Sequence, residues 1–202
     1  MLASIRAGLR RATAVCVVVL VAACGEDENA AAPAPAPTEA PRVSGNGIDR
    51  GFVTEMVPHH ESAVEMAQIA EQRAERPQIR RLSEAIISTQ NTEIRQMQGL
   101  DQQLADAGIE RRGLGLDAHA MGMHMDPSLL RGAQPFDRAF LDMMIPHHEG
   151  AIRMAQRQLE RGRNRTVKRL ARSIVRAQTK EINQMHNWRI QWFGISLGHE
   201  HH

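Results

Sequence analysis

MVPHHESAVEMAQ, residues 56–68, and MIPHHEGAIRMAQ, residues 144–156, are one phrase written twice in a chain of 202 residues. Each copy holds adjacent histidines and a glutamate between two methionines, and the copies stand 88 residues apart. The same offset relates, without a gap, Asp49-Arg50 and Phe52 to Asp137-Arg138 and Phe140. It carries on through Arg81-Leu82 and Arg169-Leu170, Ile86 and Ile174, and Gln90 and Gln178. Glu93-Ile94 matches Glu181-Ile182, and Gln96-Met97 matches Gln184-Met185. In all, 21 positions are identical between residues 48–98 and 136–186, so the chain contains an internal duplication.

Each copy reads as two helices. In the first, Phe52, Met56, His59 or His60, Ala63 and Met66 or Ala67 recur at steps of three and four. In the second, Ile79, Leu82, Ile86, Gln90, Glu93, Met97 and Leu100 keep the same rhythm. No alternating β pattern is present, and aromatic residues make up only 3% of the chain. Two helical hairpins stacked by pseudo-twofold symmetry make an all-α four-helix bundle, a fold whose core commonly hosts metal sites. The bundle is expected over residues 48–198, with repeat 1 at 48–110, a Met/His-rich linker at 111–135 and repeat 2 at 136–193. Pro58 and Pro146 fall inside the first helix of each copy. There a proline removes one backbone hydrogen bond and kinks the helix; alternatively it opens a new helix at its first turn. The upstream periodicity favours the kink.

The N-terminal region sets the address. Arg6, Arg10 and Arg11 precede an apolar stretch, Ala12 to Ala23, too short for a stable membrane span. It ends in Val21-Ala22-Ala23-Cys24, which resembles a lipobox, so residues 1–24 read as a signal peptide and Cys24 as the lipidated residue. The other cysteine, Cys16, lies in the discarded segment, so no disulfide framework remains. Residues 25–47, rich in Ala-Pro, acids and Gly, read as a disordered, solvated tether. The expected location is the cell envelope, lipid-anchored on the periplasmic or extracellular face.

Charge divides between the copies. Residues 48–110 hold 6 basic and 11 acidic side chains, and residues 136–193 hold 12 basic and 5 acidic. Two solvated faces account for this; so does attraction between the halves or between two copies of the chain. A nucleic-acid role is disfavoured, because the basic half lacks aromatic platforms and the chain reads as exported.

The phrase itself carries chemistry. Met56 lies three and four residues before His59 and His60, which places thioether and imidazoles on neighbouring faces of one turn. Adjacent histidines point about 100° apart, so one is able to face the interior while the other faces groove or solvent. Met144, His147, His148, Glu149 and Met154 repeat the arrangement. Imidazole suits copper, zinc, iron and nickel, and thioether selects a soft ion, chiefly Cu(I). Met66 and Met154 at helical spacing also read simply as core filler. Glu93 and Glu181 fall on the apolar stripe of each second helix and need a partner there. That partner is either an imidazole N–H, which would orient a metal ligand, or an arginine. Between the copies, HAMGMHMD carries His119, Met121, Met123, His124 and Met125 in a segment with no helical face. Such exposed clusters resemble copper-binding tracts; a linker with incidental methionines is the plainer alternative. The tail histidines His199, His201 and His202 form a weaker cluster.

The doubled phrase, each time followed by a second helix ending near Gln-Met, resembles the domain of unknown function 305 family over residues 48 to about 193. The resemblance implies a ferritin-like helical bundle of exported bacterial proteins, some of which bind copper and aid copper resistance through methionine and histidine. Carried over residue by residue, it implicates Met56, His59, His60, Met66, Met97, Met144, His147, His148, Met154 and Met185. His186 faces Gln98 at the equivalent position, so the two sites are not expected to be equivalent.

The function expected is copper sequestration or transfer, with Cu(I) favoured and zinc or another divalent metal left open. A copper donor or acceptor protein and a second copy of the chain are the partners left open besides the membrane. A metal-independent, partner-binding bundle is the alternative. A ferritin-like oxidase is disfavoured: di-iron bundles use Glu-x-x-His motifs, and here Glu93 and Glu181 are followed by Gln96 and Gln184. No catalytic constellation appears, so no enzyme activity is expected.

Overall fold

A computed structural model describes residues 43–124 and 126–194. The signal segment, Cys24, the tether up to residue 42, Met125 and the tail histidines lie outside the described residues. Four long helices dominate: α1 (Gly47–Arg73), α2 (Pro77–Asp106), α3 (Phe136–Arg161) and α4 (Arg165–Phe193). A short 3-10 turn, Pro127–Arg131, interrupts the connection between hairpins. No strand occurs among the described residues, and no helix there is long and apolar enough to cross a membrane.

Local chemistry sets the helix ends. The Asn46 side chain accepts from the backbone of Ile48 and Asp49, while Asp49 accepts the Asn46 N–H at 2.7 Å, a capping box. Pro77 opens α2 at its first turn, where its missing N–H costs nothing. Asn164 caps α4 by accepting from Thr166 and Val167, and Gly194 ends it in the left-handed region at φ 66°. Pro58 and Pro146 both lie inside unbroken helices, not at the start of new ones.

Helix α1 packs along α2 and α3 along α4, and the hairpins meet chiefly through α1 against α3. Two apolar clusters result. One gathers Phe52, Met56, Met97, Leu104, Met154, Val167 and Ile174. The other gathers Met66, Ile79, Ile86, Phe140, Met144 and Met185. Under the 88-residue offset each cluster is the image of the other, so the duplication is expressed as a pseudo-twofold bundle with a core at either end. Burying each large side chain contributes roughly 1.5–3 kcal/mol.

A reciprocal pair of carboxylates ties the hairpins together. Asp49 on α1 accepts from the backbone N–H of Arg163 and Asn164 at the turn of the other hairpin. Asp137 on α3 accepts from the backbone N–H of Glu75 and Arg76, the equivalent turn of the first hairpin. Both aspartates are fully buried.

The connection between hairpins breaks the symmetry. Arg112 donates its N–H to the Gly47 carbonyl, and an added Cβ at Gly51 would lie 2.0 Å from the Arg112 carbonyl oxygen. Farther on, Met121 and Gly122 press on α3, where an added Cβ at Gly150 would lie 1.9 Å from the Met121 oxygen. The segment thus runs up the start of α1 and crosses to the middle of α3 before the 3-10 turn. Helical glycine costs about 1 kcal/mol relative to alanine, and here it permits backbone contact.

Candidate metal centre

Between the two apolar clusters lies a layer of imidazoles. His60, His59, His147 and His148 form a row across α1 and α3, with ring centroids 6.3, 3.9 and 6.3 Å apart in turn. All four side chains are buried. The sequence expectation that one histidine of each pair reaches a groove or solvent is therefore corrected. The 100° turn between neighbours points one ring at the opposite hairpin and the other at its own second helix, and both directions are interior.

Hydrogen bonds orient the row. The His60 Nε2 donates to Glu93 at 2.8 Å, and the His148 Nε2 donates to Glu181 at 2.8 Å. The buried partner of each glutamate is thus an imidazole rather than an arginine. His59 donates its Nε2–H to the carbonyl of Met121 at 2.8 Å. In a neutral ring whose Nε2 carries the hydrogen, Nδ1 keeps its lone pair. In His59 that Nδ1 is buried and has no hydrogen-bond partner, and the Nδ1 atoms of His60 and His148 are likewise buried and unpartnered. His147 has none at either nitrogen. The difference between His59 and its mate follows from the connection, whose Met121 reaches one of two equivalent rings. One turn before each glutamate, Gln90 and Gln178 are also buried with amide atoms unpartnered.

Electrostatics keeps the central rings neutral. Burial, followed by the charge of His60, lowers the His59 pKa to about 3, although its bond to Met121 opposes the shift. Burial, followed by His59, holds His147 well below 6.5. Neutral imidazole is the form that binds metals.

Thioethers flank the row on both sides. Met56, Met97 and Met154 belong to one cluster, and Met66, Met144 and Met185 to the other; all six are buried. Each set draws on both hairpins. His186 sits half-buried on α4, beyond Glu181, and is not part of the row. Among the described residues no three His, Cys, Asp or Glu side chains converge to hold an ion. The donors form a row of imidazoles bordered by sulfur, not a nitrogen–oxygen cage.

The Met/His loop is only partly the exposed tract expected from its sequence. His119 and His124 are exposed with ring centroids 4.7 Å apart. Met123 is half-buried, and Met121 packs against an apolar cluster. The turn is pinned by Arg153, which donates to the Ala120 carbonyl at 2.6 Å, and this anchoring turns Met121 inward. His119 and His124 line a cavity of about 410 Å³ with Pro146, Glu149 and Arg153. Sequence reasoning missed the Met121 carbonyl and the seat formed by Gly122 and Gly150. A signal existed: Gly150 stands in mid-helix where the first copy has Ser62.

Fold and site define a class: a bundle of two duplicated hairpins whose halves meet at a buried histidine layer between methionine-bearing cores. The chain belongs to the family described as Domain of unknown function (DUF305), which it matches over residues 49–189. Among solved structures it is similar to CopM in its Cu(I)-bound form, with 36% identity, a TM-score of 0.62, and coverage of 72% of this chain and 98% of that one. CopM has also been solved with Cu(II) and with silver bound. A Streptomyces coelicolor DUF305 protein, named as secreted, is 31% identical with a TM-score of 0.64, covering 77% of this chain and 98% of that one. A curated relative, uncharacterized protein L153 of Acanthamoeba polyphaga mimivirus, is 39% identical over 51 residues, 25% of this chain and 34% of that protein.

Proposed function

We propose that the protein binds copper, chiefly as Cu(I), in the cell envelope and sequesters or hands it on. The observation that carries this reading is the set of unpartnered, buried ring nitrogens, above all those of His147. Leaving a buried polar atom without a partner costs about 1–3 kcal/mol, and native proteins hold few such atoms. Apolar residues would pack this layer at less cost, so its imidazoles are kept for a ligand. Sulfur on both flanks selects a soft ion. The row offers few donors at any one point, which suits the low coordination number of Cu(I) better than the four-ligand demand of zinc. The binding residues in this reading are His59, His60, His147 and His148 with the six flanking methionines, and Glu93 and Glu181 orient their imidazoles.

The lipobox at Cys24 supports an envelope-anchored form that receives copper from a donor protein or passes it to an acceptor. A role as cargo binder rather than enzyme fits the missing Glu-x-x-His pattern. An anaerobic Cu(I) titration of the intact protein against a competing chelator tests the reading. A variant with His59, His60, His147 and His148 changed to alanine, checked for unchanged helical circular dichroism, is the comparison. Collapse of binding in the variant supports the histidine layer; undiminished binding would move the site away from it.

A further inference from the structure

We infer that the turn at residues 117–124 is the loading port of the histidine layer, with His119 and His124 as the first docking point for incoming Cu(I). This rests on the copper reading above. The turn is a built element. Met121, Gly122 and Met123 donate backbone N–H groups to Asp117, His119 and Ala118, and Asp117 accepts the Ala120 N–H. Its outer side presents two exposed imidazoles 4.7 Å apart beside the cavity lined by Glu149. Its inner side touches the buried row directly, because the Met121 oxygen holds the His59 Nε2–H. Gly122 lies so close to α3 that an added Cβ would come 2.9 Å from the His147 Cα. One short turn thus has imidazole donors in solvent, a carbonyl on the His59 ring and a glycine against the backbone that carries His147.

The port is single-sided. Arg153 and Gly150, which seat the turn on α3, correspond to Glu65 and Ser62 on α1. At the docking point the ion meets solvent-facing nitrogen and a nearby carboxylate, which replace the ligands of whatever delivers it. Lifting the turn breaks two bonds, Met121 to His59 and Ala120 to Arg153, and opens the row to the ion. No redox change is involved; the ion exchanges one set of donors for another.

The test follows Cu(I) transfer from a coloured Cu(I) chelate to the intact protein by anaerobic stopped flow, together with the amount bound at equilibrium. A variant carrying His119→Ala and His124→Ala is compared with the unaltered protein; both residues are exposed, so the fold is preserved. The expected result is loading slowed at least tenfold, with competition-resistant binding at the buried row retained. An unchanged rate would overturn the port while leaving the copper reading intact. Loss of the tightly bound copper in the variant would also overturn it, because the pair would then belong to the final site. No uptake by the unaltered protein would overturn the copper reading itself.

Discussion

His59 and His147 stand at equivalent positions on helices of opposite hairpins and hold their rings 3.9 Å apart inside the bundle. The contact has a measurable consequence for stability. Burial, followed by the charge of neighbouring imidazoles, lowers His59 to about 3 and His147 well below 6.5. Unfolded, each ring takes up a proton near 6.5. Between about pH 3 and 6.5 the unfolded chain therefore binds more protons than the folded one, and stability rises with pH across that window. Each ring contributes a slope of up to about 1.4 kcal/mol per pH unit. Urea unfolding of the metal-free protein at pH 5 and 7 is expected to show this rise. It should shrink in a variant with His59→Leu and His147→Leu; an unchanged slope would show that the rings are not held neutral.

Asp49 and Asp137 supply a second expectation. Each buried carboxylate accepts two backbone N–H groups from the turn of the opposite hairpin. Hydrogen bonds to charged groups contribute roughly 1.5–3 kcal/mol each, and removing the acceptor strands buried donors. Asp49→Ala is expected to cost about 2–4 kcal/mol, read as a lowered denaturation midpoint. Asp137→Ala should cost a similar amount, because Arg76 also donates a side-chain hydrogen bond to Asp137 while Gln158 donates one to Asp49.

Much of this bundle is legible before any coordinates. The 88-residue offset shows the duplication, the three-and-four spacing shows the helices, and Glu93 and Glu181 announce themselves as carboxylates on an apolar stripe. What the sequence hides is what backbone does. Nothing in Asp49-Arg50 says that the aspartate will cap a turn 114 residues away. Nothing in HAMGMHMD says that a carbonyl, rather than a side chain, will reach the histidines. Residue type encodes side-chain chemistry at each position, whereas main-chain contacts between distant segments depend on packing. Gly150 is the exception, since a mid-helix glycine marks the place where another backbone arrives.

That glycine is testable. In an exposed helix Gly→Ala stabilises by about 1 kcal/mol. At Gly150 the new methyl would meet the Met121 oxygen at 1.9 Å, so the turn must shift. Gly150→Ala is expected to destabilise by about 1–3 kcal/mol and to speed hydrogen exchange at the Met121 and Gly122 amides. Ser62→Ala, at the equivalent place on α1, should change stability by no more than about 0.5 kcal/mol. Slowed or unaltered exchange in Gly150→Ala would contradict the close seat.

Glu93 and Glu181 each hold one imidazole of the row at 2.8 Å. Glutamine preserves their shape and an acceptor oxygen but removes the charge. Groups that orient metal-ligating histidines typically matter 10–100-fold in affinity. Glu93→Gln and Glu181→Gln are each expected to weaken Cu(I) binding about tenfold or more in chelator competition, with helical content preserved. Unchanged affinity in both would mean that the carboxylates serve packing alone.

Met66 and Met154 decide between sulfur chemistry and core filling. Both are buried at equivalent positions of opposite clusters, so on packing grounds alone they are ordinary. Methionine-to-leucine changes conserve volume and usually cost less than about 1.5 kcal/mol, whereas leucine offers a metal nothing. The paired change Met66→Leu and Met154→Leu separates the roles because stability and affinity respond differently. Thermal unfolding of the metal-free protein is expected to move by only a few degrees. Cu(I) affinity should fall at least tenfold if these thioethers are ligands. An affinity that stays level while stability falls would assign both methionines to packing and leave Met56, Met97, Met144 and Met185 as the sulfur donors beside the histidine row.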